Sequence, residues 1–135
     1  MALSIQTSHR SATPRVLVVD DDRPVSELFQ KELEKFGYQV DTANNGAEGL
    51  EKAKQFKPNL VILDMIMPKI SGREFLEKLR NEKSTFAIPV MIVSHLESNY
   101  EKKKCEELGI ECFLVKHQNS VSGIINQAKA IIEKR

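Results

Sequence analysis

Four short apolar runs, at residues 16–19, 60–63, 90–93 and 112–115, constrain this chain more than anything else in it. Each is too short for a buried helix, and Pro58 and Pro68 bracket the second while Pro89 opens the third. Runs of this length with turn residues around them read as strands buried on both faces. Tyr38, Val40 and Thr42 alternate with polar residues and predict one more short strand. Between the strands the period changes from two to 3.6 residues. Val25, Leu28, Phe29, Leu33 and Phe36 mark one helical face after Pro24, and Gly37 stops that helix. Asn44, Asn45 and Gly46 form a turn and open a second helix, with a weak stripe of Ala47, Leu50 and Ala53. Ser71 and Glu74 have the spacing of a capping box ahead of Phe75, Leu76 and Leu79. Ser98 and Glu101 repeat that spacing before a very polar fourth helix that closes at Gly109. Val121, Ile124, Ile125, Ala128, Ile131 and Ile132 give the last helix a strong apolar face.

Strand and helix therefore alternate five times. Such alternation predicts an α/β fold: a doubly wound parallel sheet of five strands with helices on both faces, because right-handed crossovers allow little else. Residues 15–135 form that one domain, and residues 1–14, polar and rich in Ser and Thr, read as a flexible arm with no secretory signal. A net charge of +1 gives no reason to expect a nucleic-acid or membrane partner. Cys105 and Cys112 lack metal-ligand spacing and read as free thiols of a cytoplasmic protein.

In doubly wound sheets the functional crevice lies outside the carboxyl ends of the strands. There the first strand ends in Asp20, Asp21 and Asp22, the third in Asp64, the fourth in Ser94 and the fifth in Lys116. Carboxylates brought to roughly 4 Å at an effective dielectric near 20 cost about 4 kcal/mol per pair before compensation. A hard divalent cation, with oxygen ligands and retained water, is the natural compensation. A carboxylate, a cation, a lysine and a hydroxyl in one pocket suit a phosphoryl group: the carboxylate attacks phosphorus while the positive charges neutralise its oxygens. Asp22 reads as a helix-start residue rather than a ligand, since carboxylates favour helix N-termini. Met65 and Met67 read as packing residues, and Lys102, Lys103 and Lys104 as a solvated helix face.

Val18-Val-Asp-Asp21, Asp64-Met-Ile-Met-Pro68 with Gly72, Val90-Met-Ile-Val-Ser94 and Phe113-Leu-Val-Lys116 together resemble the receiver domain of two-component response regulators. The resemblance spans about residues 15–134 and implies a flavodoxin-like sheet of order 2-1-3-4-5. It implies that Asp64 is the phosphoacceptor, with Mg²⁺ held by Asp21 directly, by Asp20 mainly through water, by Asp64 and by the backbone carbonyl of Ile66. It also implies that Ser94 and Lys116 contact the phosphoryl group and that Phe113 matches the aromatic that turns inward when Ser94 moves. Phe113 reads equally well as plain core. The implied donor is a histidine kinase or phosphotransfer protein. The implied output is protein–protein contact with a downstream target through the helix 4–strand 5–helix 5 face, with Tyr100 and Lys103 on it, from a stand-alone receiver or one module of a larger regulator.

Three features depart from the family. His95 stands where a small residue usually keeps the acceptor open; it either narrows access, bonds the phosphate or is an exposed loop histidine. His117 stands where proline usually follows the lysine in a cis peptide. A cis bond before a non-proline residue costs about 2.5–4 kcal/mol, so the Lys116–His117 bond is expected to be trans. Ile66 and Leu96 occupy the two positions that tend to govern hydrolysis, and neither side chain can orient water, which predicts a long-lived acyl phosphate. Other readings of the same chain are a degenerate receiver that binds without phosphorylation and a Mg²⁺-dependent phosphohydrolase with an aspartyl nucleophile. The latter needs a second carboxylate where Ile66 stands. A flavin domain of this topology needs a phosphate-cradling loop where Asp20, Asp21 and Asp22 would repel one.

Overall fold

The computed structural model describes residues 12–134. Its elements are β1 (Arg15–Val19), α1 (Arg23–Glu34), β2 (Gln39–Ala43), α2 (Gly46–Phe56), β3 (Leu60–Leu63), α3 (Gly72–Arg80), β4 (Val90–Ser94), α4 (Asn99–Leu108), β5 (Cys112–Val115) and α5 (Val121–Glu133), with a 3₁₀ turn at Lys116–Gln118. All strands are parallel in the order β2-β1-β3-β4-β5, as the alternation and the resemblance both implied. Apart from residues 12–14, the arm lies outside the described residues. Within them the Pro14 carbonyl accepts from Gln39 N–H at 3.0 Å, so Pro14 already contributes to the sheet.

The two faces of β3 divide the core. Leu60 and Ile62 join Phe29, Leu33, Ile124, Ile125, Ala128 and Ile131 on the side of α1 and α5. Val61 and Leu63 join Phe75, Leu76 and Leu79 on the other side, under α2, α3 and α4. Full burial of four aliphatic residues on alternating faces explains why this strand has no polar positions. On α1 the buried face is Ser26, Phe29 and Leu33, while Leu28 and Phe36 are exposed, which corrects the wider stripe expected from the sequence. At about 100° per residue, 26, 29 and 33 share one side and 28 falls well beyond its edge, while Phe36 lies in the turn past the last residue of the helix.

Caps follow the sequence with one exception. Asp22 caps α1 by accepting from Val25 N–H, and Ser71 with Glu74 forms the full capping box of α3. On α4 only half a box exists: Ser98 Oγ accepts from Glu101 N–H, but the Glu101 carboxylate takes Arg73 Nε of α3 at 2.7 Å instead of returning to the cap. A charged donor outcompetes a backbone N–H for that carboxylate.

Candidate functional site

The carboxyl ends of β1, β3, β4 and β5 lie side by side, and register puts Asp64, just past β3, next to Asp20, just past β1. Asp64 N–H bonds the Val19 carbonyl at 3.0 Å, and Asp20 N–H bonds the Ala43 carbonyl at 3.0 Å, so both backbones are fixed by the sheet. Behind Asp64, the α3 N-terminus comes so close that a Cβ on Gly72 would overlap the Asp64 carbonyl oxygen. Gly72 N–H bonds the Met65 carbonyl at 2.9 Å and closes the loop between them.

Asp20, Asp21 and Asp64 bring carboxylate oxygens within 4.8 Å of one another, and Asp20 and Asp64 are buried while Asp21 is exposed. Lys116 reaches in from the far side. Its Nζ lies 2.8 Å from Asp20 Oδ2 and 4.0 Å from Asp64 Oδ2. Asp20 Oδ1 also accepts from Asp22 N–H at 2.9 Å. The Ser94 hydroxyl and the Ile66 N–H face the Asp64 carboxylate and favour its ionised form. Its carboxyl is nevertheless pushed above the usual range, because burial outweighs the Ser94 bond; Asp20 raises it further and Lys116 opposes. One ammonium against three carboxylates leaves about two negative charges uncompensated, and oxygen donors at this spacing fit a hard divalent cation.

Above these groups is a shallow pocket of about 270 Å³ lined by Asp21, Asp22, Asp64, Ile66, His95 and Lys116. Ile66 projects an exposed side chain at the rim, and Leu96 instead packs against the core cluster around Leu63. The Lys116–His117 bond is trans, as expected; the described residues contain no cis peptide. The His95 ring lies parallel to that of His117, with centroids 6.1 Å apart. Phe113 is half-buried, packs against the same core cluster as Leu96 and lines a neighbouring groove of about 500 Å³ between α4 and β5. Cys105 and Cys112 are free thiols, and burial pushes Cys105 up to about 11. Met65 is core, with its sulfur 3.7 Å from Cys105 Sγ.

Sequence reasoning placed the acidic residues, Ser94 and Lys116 at one sheet edge, and the structure brings them together there. It missed Glu97, which joins the rim by pairing with His117, and Arg73, which takes Glu101. A lone surface glutamate carries no sequence signal for a partner twenty residues away.

Residues 16–126 match the response regulator receiver domain family, and the chain belongs to that family. It is a phosphoacceptor signalling domain of the two-component type. It is 37% identical over 102 residues to the alkaline phosphatase synthesis transcriptional regulatory protein PhoP of Bacillus subtilis, a match covering 76% of this chain and 42% of the relative. It is 35% identical to the DNA-binding dual master transcriptional regulator RpaA of a Synechocystis strain, over 76% of this chain and 43% of the relative. The chain thus spans about half the length of the curated relatives it matches. Among solved structures it is similar to the chemotaxis protein CheY4 of Vibrio cholerae, with TM-score 0.81, 27% identity and coverage of 89% of this chain and 99% of the other. It shares its fold with a CheY-like receiver of Methanospirillum hungatei, with TM-score 0.83, 24% identity and coverage of 91% and 96%. No helix among the described residues is long and apolar enough to cross a membrane.

Proposed function

We propose that Asp64 is the residue that takes the phosphoryl group, from a phosphohistidine on a kinase or phosphotransfer protein. The observation that carries this reading is the convergence of Ser94, at the end of β4, and Lys116, just past β5, on one buried carboxylate. An Asp64 oxygen attacks phosphorus as the P–N bond to the donor imidazole breaks. The electron pair returns to the ring nitrogen, which takes up a proton, and an acyl phosphate remains on Asp64. Asp20, Asp21, Asp64 and the Ile66 carbonyl would hold Mg²⁺, which when bound supplies charge neutralisation for the transferring group. Lys116 neutralises an equatorial oxygen, and Ser94, no longer bonded to a bare carboxylate, donates to another. With Ile66 in place of a second carboxylate, the site holds its acyl phosphate rather than turning over a substrate, so its role is regulatory.

Output passes through the α4–β5–α5 face. The groove between α4 and β5 supports this, because Phe113 lines it and sits one strand from Ser94. Tyr100 and Lys103 are exposed on α4 beside it. A signal of this kind, relayed from a histidine kinase to a protein target by contact alone, belongs in the cytoplasm.

The test is incubation with phosphoramidate or acetyl phosphate and Mg²⁺, followed by intact mass measurement. Wild type gains one phosphoryl group and Asp64→Ala gains none. Equal modification of both, or of neither, would refute the assignment.

A further inference from the structure

Ser94 and Lys116 sit on two segments, the β4–α4 loop and the turn after β5, which are joined a second time at the rim. Glu97, three residues past Ser94, has Oε1 3.0 Å from His117 Nε2. Its Oε2 accepts a hydrogen bond from Gln118 Nε2, also at 3.0 Å. One carboxylate therefore holds the two side chains that directly follow Lys116. His95, from the same loop as Glu97, lies parallel to His117 with 11° between the rings and extends the contact toward the acidic pocket. Glu97 itself lines the α4–β5 groove and not that pocket, so it has no direct hold on a phosphoryl group.

We propose that Glu97 is a positioning residue for phosphoryl transfer to Asp64: it latches the Lys116 turn to the β4–α4 loop, so that Lys116 and Ser94 approach the phosphoryl group as one unit. This rests on the phosphoacceptor reading above. Without the latch the two segments keep the β4–β5 ladder, which ends at the Ser94–Val115 pair, one residue short of Lys116, and the weak ring contact of His95 with His117. Electrostatic stabilisation of a transferring group depends on donors being in place beforehand, so independent motion of the two loops slows the step without touching its chemistry. Glu97 and His117 are both about half exposed, and pairs of that kind contribute little to global stability. The latch is therefore separable from folding. Because Glu97 also lines the groove, a partner seated there and engaging its carboxylate would act on the same latch.

The test uses the full chain with phosphoramidate and Mg²⁺, both varied to saturation. Glu97→Ala and His117→Ala are each expected to lower the maximal phosphorylation rate about tenfold, the scale set by loss of support for a prepositioned group, at unchanged donor half-saturation and Tm. The double variant is expected to lose no more than either single one. Glu97→Gln, whose amide oxygen still accepts from one of the two donors, recovers part of the rate. In the unphosphorylated protein, His117→Ala shifts the amide resonances of Ser94 and Leu96. Wild-type rates in Glu97→Ala, losses that add in the double variant, or a rate loss that tracks a fall in Tm would each overturn the latch. A wild type that takes no phosphoryl group refutes the phosphoacceptor reading and the latch with it, whereas normal phosphorylation of both wild type and Glu97→Ala refutes the latch alone.

Discussion

Lys116 lies 2.8 Å from Asp20 but 4.0 Å from Asp64, so in the metal-free protein the ammonium is committed chiefly to the residue beside the acceptor. All three side chains are at least nine-tenths buried, and removing one partner of a buried pair typically costs about 3–5 kcal/mol. Lys116→Met is therefore expected to lower Tm without Mg²⁺. Added Mg²⁺ should then raise Tm more in this variant than in wild type, because no ammonium competes for Asp20. Thermal melts across a Mg²⁺ titration check both signs, and an equal Mg²⁺ response in the two proteins would contradict the competition.

Asp64→Asn should raise Tm at neutral pH. The folded protein holds the Asp64 carboxyl above its ordinary range, chiefly through burial. The native state thus binds that proton more tightly than the unfolded chain, and stability falls as pH rises from the unfolded value through the folded one. Above that window wild type carries the full penalty of an ionised buried carboxylate, and Asn does not. Below the ordinary carboxylate range the penalty vanishes, so the gain from Asn should fade in acid. Melts of the two proteins from pH 3 to 8, without metal, test this.

Ser94→Ala removes the hydroxyl that steadies the ionised form of Asp64. The Asp64 titration, followed by carboxyl carbon shifts in metal-free protein, should move to higher pH than in wild type. The variant should also phosphorylate more slowly, by about 10²–10³-fold if the hydroxyl acts as a transition-state donor. A titration that stays put or moves to lower pH would show that Ser94 does not stabilise the carboxylate.

The acyl phosphate should persist for minutes or longer, since Ile66 presents only an apolar side chain at the rim and Leu96 packs inward. Ile66→Glu should speed its hydrolysis by supplying a carboxylate to orient water. Dephosphorylation followed after donor removal, with Mg²⁺ retained, gives the half-life. A wild-type half-life of seconds would show that these two positions do not control water.

Much of this was legible in the sequence because strands and their ends are local signals. The run from Leu60 to Leu63 is apolar on both faces, so its burial and the placement of Asp64 at its tip follow from period and length alone. Residue spacing likewise located Ser94 and Lys116 at the same edge. What escaped were choices between competing partners. Nothing in Ser98-Asn-Tyr-Glu101 tells that Glu101 will leave its cap for Arg73, and nothing near Glu97 tells that it will find His117. Those outcomes depend on how closely α3 approaches α4 and one loop approaches another, distances that the whole fold sets. Leu28 and Phe36 escaped for a simpler reason: apolar identity guarantees neither a place on the buried side of a helix, for Leu28, nor a place within it, for Phe36.

Cys105 is the one fully buried residue of α4, and the helix is otherwise held by the Arg73–Glu101 pair at its first turn, by Arg80 on the Leu108 carbonyl at its last and by the partly buried Leu108. An element that buries so little apolar surface has a shallow free-energy well and opens long before the sheet does. Displacing it therefore requires only a small differential interaction free energy between its two positions. The part of the molecule nearest the groove is thus also the part most cheaply rewritten, which suits a signalling domain of the receiver family.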